Sequence, residues 1–191
     1  MKFALNTIKS EHRKLAAILR SLRDRVARVH SGRSPPDFAE LRAMLYYLDV
    51  FTARLHHPKE DEFLFQPLRA RSSDAAAIID DLEREHACGA AAMRSLEQAL
   101  LRYEAGGERE FADFATVVEG FCDFYTRHMH TEESLALPLA ENILSDEDWE
   151  RIDAACAAAS EPQAGMDEDE ALRQLFRRIV GPAPVETVLR P

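Results

Sequence analysis

Four long stretches of this chain place apolar residues at alternating intervals of three and four, a period that commits each stretch to an amphipathic helix packed on its neighbours. The first, over about 6–30, carries the seam Ile8, His12, Leu15, Leu19, Leu22, Val26 and Val29. The second starts at an N-cap, Asp37, and runs to about Phe65 on Leu41, Leu45, Leu48 and Thr52, with Pro67 marking its end and a loop reaching Asp74. The third, over about 75–103, follows Ile79, Leu82, His86, Gly89, Met93, Leu96, Leu100 and Tyr103. The fourth, over about 110–142, follows Phe114, Val118, Phe121, Tyr125, His128, Glu132, Leu135 and Leu139.

Strong breakers separate them. Ser31-Gly32-Arg33-Ser34-Pro35-Pro36 stops the first stretch and Gly106-Gly107 stops the third, because glycine ends helices and paired prolines cannot continue one. Seven glycines in 191 residues, and long Ala-, Leu-, Arg- and Glu-rich stretches, leave helix as the preferred local state. The expected fold is all-α: an antiparallel up-down-up-down four-helix bundle over 1–144, since short connections join the long helices. Two shorter C-terminal helices follow over 145–191. One opens on the capped, acidic start Ser145-Asp146-Glu147-Asp148 and reaches about Ala159. The other runs from Asp167 to Val180, with 160–166 as a linker. This extension would cap the bundle, make a homodimer contact or occlude a site.

The net charge of −10 argues against a nucleic-acid backbone or an anionic membrane surface as partner. Cys88, Cys122 and Cys156 are odd in number and form no CxxC pair, so they read as buried thiols in a reducing compartment. No basic segment followed by an apolar run opens the chain, and no stretch has membrane-spanning length. Cytoplasmic residence is the expectation.

Each long helix sets one histidine on its core face: His12, His56, His86 and His128. Two of them have a glutamate four residues on, as His56…Glu60 and His128…Glu132, a spacing that projects both side chains from one side of a helix. At about 100° per residue, His128 and Glu132 lie within roughly 40° of each other on the seam, whereas His130 and Glu133 point away. The same count puts His56 near the Leu45/Leu48/Thr52 face with Glu60 at its edge, and turns His57 and Asp61 toward the opposite side. His30, at a helix C-terminus, is explained by the helix dipole.

A single histidine on an apolar face is ordinarily a hydrogen-bonded core residue, but glutamate is almost never fully buried without a partner. Four core histidines and two seam glutamates would destabilise a bundle unless a metal held them. A mixed imidazole and carboxylate set suits iron, manganese or zinc. Six side chains exceed the four of a structural zinc site and match two ions bridged by carboxylates and a solvent oxygen.

At these residues the sequence resembles the hemerythrin-like family, also called the HHE cation-binding domain. The stretches that carry the likeness are Glu11-His12, then His56-His57-Pro58-Lys59-Glu60-Asp61 with Phe63-Leu64-Phe65-Gln66-Pro67, then Glu85-His86, and finally His128-Met129-His130-Thr131-Glu132-Glu133 with Pro138. They keep the family's order and spacing over about 9–142. The resemblance implies a four-helix bundle holding two non-haem iron ions with an oxo or hydroxo bridge, manganese or zinc being the weaker alternatives. It makes His12, His56, His86 and His128 terminal ligands, with Glu60 and Glu132 bridging.

One position departs. Oxygen-carrying hemerythrins have a further histidine one turn after the helix-3 ligand, where this chain has Ala90. Four histidines with two glutamates are similar to the branch implicated in iron–sulfur repair and nitric-oxide response. The expected function is therefore a di-iron protein that binds or reacts with dioxygen, peroxide or nitric oxide in stress response or iron handling. The alternative is a non-catalytic metal or redox sensor, or an iron reservoir, signalling through the C-terminal helices.

Overall fold

The computed structural model describes residues 2–160 and 168–181, which form helices and short connections with no strand among them. Helix α1 spans Phe3–His30. Helix α2 is a rod over 38–71 in which α-helical Phe38–Val50, His57–Lys59 and Gln66–Arg71 alternate with wider π-helical turns at Phe51–His56 and Glu60–Phe65. Helix α3 spans Ser73–Gly106. Helix α4 covers 108–143 as Glu108–Thr131, a π turn at Glu132–Ala136, and Leu137–Ile143. Helices α5, Asp146–Ser160, and α6, Glu168–Val180, complete the described chain. Most of the expected linker over 160–166, and Asp167, lie outside the described residues.

Capping residues start the helices where their chemistry dictates. The Asp37 carboxylate accepts the Glu40 N–H at 2.9 Å, and the Ser72 hydroxyl accepts the Ala75 N–H at 3.3 Å. Ser145 and Asp148 bond reciprocally, the hydroxyl accepting the Asp148 N–H and the carboxylate accepting the Ser145 N–H, a capping box that satisfies two orphan donors. Between α3 and α4 the chain turns on Gly107, whose φ of +70° a side chain would resist.

Helix α2 does not end at Pro67 but continues to Arg71, so only Ser72 separates it from α3. Pro58, Pro67 and Pro138 each sit two residues after a π turn. A proline ring collides with the carbonyl four residues back. Here that residue always belongs to the preceding π turn, where backbone N–H groups bond five residues back, as Leu137 does to Glu132. The wider spiral carries the offending carbonyl aside, and the rod passes through. The π turn in α4 also rotates Leu135 out of the expected seam: it is 50% exposed, while Ala136 and Leu137 take the core positions.

The long helices bury two apolar clusters with a polar layer between them. One cluster joins Leu15–Val26 of α1, Leu41–Phe51 of α2, Met93–Tyr103 of α3 and Phe114–Met129 of α4, and receives Leu172 and Ile179 of α6. The other joins Ala4, Leu5 and Ile8 with Leu64, Phe65 and Leu68, Ile79 and Leu82, and Ala136–Leu144, and receives Trp149, Ile152 and Cys156 of α5. Across neighbouring helices, residues late in one meet residues nearer the start of the other: Arg25 with Glu40, Glu104 with Arg42, Tyr103 with Phe114, and Arg23 with Glu119. Cys122 and Cys156 are buried, but Cys88 is exposed, because two residues along α3 from the inward His86 it faces outward. No helix among the described residues is long and apolar enough to cross a membrane.

Candidate metal centre

The polar layer consists of His12 from α1, His56 and Glu60 from α2, His86 from α3, and His128 and Glu132 from α4. All six side chains are at most 7% exposed. The π turns position them: Phe51–His56 ends on His56, Glu60–Phe65 begins at Glu60, and Glu132–Ala136 begins at Glu132. Each widened turn swings its ligand-type residue toward the bundle axis, a frequent use of such segments.

Their inward atoms crowd together. Nε2 of His12 lies 3.3 Å from Glu60 Oε1 and 3.2 Å from Glu132 Oε2. Nε2 of His56 is 3.4 Å from Glu60 Oε1, and Nε2 of His128 is 3.3 Å from Glu132 Oε1. Nε2 of His86 stands 3.6 Å from both Glu60 Oε2 and Glu132 Oε1. The atoms fall into two groups able to hold an ion: His12, His56, Glu60 and Glu132, and Glu60, His86, His128 and Glu132. The two glutamates belong to both.

The outward ring nitrogens are held differently. Nδ1 of His12 donates to Glu133 at 2.8 Å, that of His128 to Glu85 at 2.8 Å, that of His86 to Asp61 at 2.9 Å, and that of His56 to Glu11 at 3.0 Å. Thus α4 serves α1, α3 serves α4, α2 serves α3 and α1 serves α2, in a closed ring around the bundle. Each carboxylate fixes the tautomer that leaves Nε2 facing the centre, the usual arrangement for a metal-ligating histidine. Helical angle alone gave these four acids no role. Their signal was position: Glu11, Asp61, Glu85 and Glu133 each adjoin a ligand-type residue in sequence and support the next helix's histidine.

Electrostatics follow from this crowding. Burial alone would lower the His12 imidazole, but Glu132 and Glu60 outweigh it and raise the group to about 11. Burial likewise opposes charge on His86, and Asp61, Glu132 and Glu60 raise it to about 10. Burial disfavours the Glu132 carboxylate, yet His12, His86 and His128 hold its pKa well below the ordinary value. Without metal, the protonated imidazoles balance the buried carboxylates.

Hydrogen bonds do not satisfy the layer. Nε2 of His56, Oε2 of Glu60 and both carboxylate oxygens of Glu132 are buried with no hydrogen-bond partner. Buried polar atoms left this way are rare and call for a ligand or ion. The residues fit a metal: imidazole nitrogen and carboxylate oxygen donors converge, each histidine is oriented from behind, and two carboxylates stand between the groups.

His57 departs from the sequence reading. Rather than turning to the opposite side, it is buried, with its ring stacked on His86 at 3.9 Å and 7°, because the π turn ending at His56 breaks the 100° count. Asp61 likewise faces the centre's edge through His86. His130 is exposed, as helical angle requires, and His30 stacks on Phe111 far from the layer. A cavity of about 250 Å³ opens beside the centre, lined by His57, Asp61, His86, Gly89, Ala90 and Tyr125 among others. A Cβ at Gly89 would stand 2.6 Å from the Tyr125 hydroxyl, so a side chain there would have to displace the Tyr125 ring end.

No curated protein and no solved structure matches the chain. Residues 4–140 match the family described as Hemerythrin HHE cation binding domain, a span that contains every residue of the polar layer and its carboxylate ring. With well over half of its length matched, and with histidine and glutamate clusters that suit iron at the centre of its helices, the chain belongs to the hemerythrin HHE cation-binding family.

Proposed function

We propose that this protein is a non-haem di-iron protein that binds or reacts with a small oxidant, whether dioxygen, peroxide or nitric oxide, in cytoplasmic stress response or iron handling. One ion would take His12 and His56, the other His86 and His128, with Glu60 and Glu132 spanning both. The observation that carries this reading is the sharing of Glu60 and Glu132 by two adjacent four-residue groups, with Glu60 Oε2 and both Glu132 oxygens buried and lacking hydrogen-bond donors. The paired residues of neighbouring helices support an antiparallel up-down-up-down bundle around the centre. Helices α5 and α6 act as a cover for the two cores.

Iron held there supplies redox chemistry and open coordination positions, because each group offers fewer donors than an octahedral ion takes. The chain's own residues do the rest. Glu11, Asp61, Glu85 and Glu133 orient the imidazoles, the apolar clusters on either side exclude water, and the cavity at Ala90 admits a small molecule. The arrangement of candidate ligands, with alanine and not histidine at 90 on α3, favours the iron–sulfur-repair or nitric-oxide-response branch over reversible oxygen carriage.

Iron-to-protein ratio and the visible spectrum in air test the reading. About two irons per chain are expected in the wild type, and His86→Ala should lose iron and its charge-transfer absorption. No bound iron after anaerobic loading would overturn it. Catalytic turnover of peroxide or nitric oxide, as against a single spectral change, separates an enzyme from a sensor or reservoir. The sensor alternative draws on Phe176 of α6, which packs 5.8 Å from Tyr47 on the helix that bears His56.

A further inference from the structure

We infer that His57 is a fifth imidazole ligand of the centre, supplied by α2 to the ion that His86 and His128 hold, in place of the nitrogen absent at Ala90. The inference rests on the di-iron reading above and concerns a residue to which that reading gives no part.

Three observations converge on it. Nε2 of His57 is buried and has no hydrogen-bond partner, a condition it shares with His56 Nε2, Glu60 Oε2 and both Glu132 oxygens. Among the described residues the remaining atom of this kind, Trp149 Nε1, belongs to the α5 cluster. An imidazole nitrogen sealed from water with nothing to bond is rare unless a ligand or ion takes its lone pair. Second, one nitrogen from each of His57, His86 and His128 lies within 4.8 Å of the other two. Donors on one ion with metal–nitrogen bonds of about 2.1 Å stand roughly 3–4 Å apart, so a small side-chain adjustment closes the set. The ring of His57 is parallel to that of His86 at 3.9 Å, and edge-on to that of His128 at 5.8 Å. Two stacked imidazoles can point their nitrogens at one neighbouring position.

The third observation is the cavity. His57, His86 and Ala90 line the same space. A histidine at 90 would approach the His86 side of the centre from α3, and His57 stands at the same opening on α2. The break between the π turn and His57–Lys59 makes this reachable: His56, at φ −95° and ψ −67°, departs from ideal helix just before His57. Consecutive residues therefore both approach the layer, His56 toward one four-residue group and His57 toward the other. The ion positions become unequal, one with two imidazoles and the other with three.

The test compares wild type with His57→Ala and His57→Gln as full-length, iron-loaded proteins. The readouts are iron stoichiometry, the rate of iron release to a chelator, and the number of imidazoles around iron from X-ray absorption. In the variants one of the two irons should leave about 10–100-fold faster, and the imidazole count per iron pair should fall by one. His57→Ala combined with Ala90→His should restore the slow release. His57→Gln keeps the side chain's bulk, so it remains informative if the alanine variant folds poorly, and circular dichroism of the metal-free proteins checks the fold. Two irons in wild type with unchanged release and an unchanged imidazole count in His57→Gln would overturn the inference alone. No iron in wild type would overturn the di-iron reading and this one with it.

Discussion

At the scale of single residues, the metal-free centre is a set of buried charges that neutralise one another. His12, raised to about 11, and His86, raised to about 10, are both cationic at neutral pH beside Glu60 and Glu132. A metal ion entering the layer must displace those protons, since a coordinating imidazole is neutral. Loading should therefore release protons at pH 7, and apparent affinity should climb with pH by up to about tenfold per unit for each proton displaced. Calorimetry in buffers of different ionisation enthalpy reads this directly, and buffer-independent heats would contradict it. The sign for the metal-free fold is opposite. Both imidazoles have folded values above the unfolded 6.5, so their stabilisation is complete below pH 6.5 and fades as pH rises through 10 to 11.

At the scale of elements, the unusual feature is three π turns in two of the four long helices. Each places His56, Glu60 or Glu132 at its boundary and is followed by a proline. A straight 100° count agrees with the burial of His56, Glu60 and Glu132 but misplaces His57, Asp61 and Leu135, which lie beside or within the widened turns. Pro67 is visible in the sequence and reads there as a stop, because whether a helix tolerates proline depends on where the carbonyl four residues back can go. Backbone conformation also sets the cost of two glycine changes. Gly107 has φ +70° and ψ −151° with open space around it, so Gly107→Ala should destabilise by about 1–3 kcal/mol from backbone strain alone. Gly120, mid-helix and equally unobstructed, should instead gain about 0.5–1 kcal/mol on change to alanine. Thermal or chemical unfolding of the metal-free protein distinguishes the two, and equal effects would refute the argument.

At the scale of the whole molecule, two apolar clusters clamp a polar layer, and a C-terminal helix completes each cluster. Helix α5 is tied to the start of α1 by the Asp153 carboxylate, which accepts the N–H groups of Phe3 at 2.9 Å and Ala4 at 2.8 Å. Its Trp149 is 4% exposed, with the Lys2 ammonium 4.4 Å from the ring centre. Trp149→Ala should cost about 3–5 kcal/mol of stability, as large-to-small core changes do. Iron retained per folded chain should not change, because the ligand-type residues all lie on the four long helices. Loss of iron from the still-folded variant would show that the extension holds the centre directly.

The sequence by itself determined that the chain is helical, that four long helices each bring a histidine to the core, and that two glutamates accompany them. Periodicity and spacing are local properties, and the 3.6-residue turn converts them into faces without reference to the rest of the fold. Tertiary structure alone decided which carboxylate supports which histidine, because Glu11, Asp61, Glu85 and Glu133 act across helix interfaces and not along their own helices. It also decided the place of His57. Where a π turn changes the pitch, packing against the neighbouring helices fixes the direction of the next side chain.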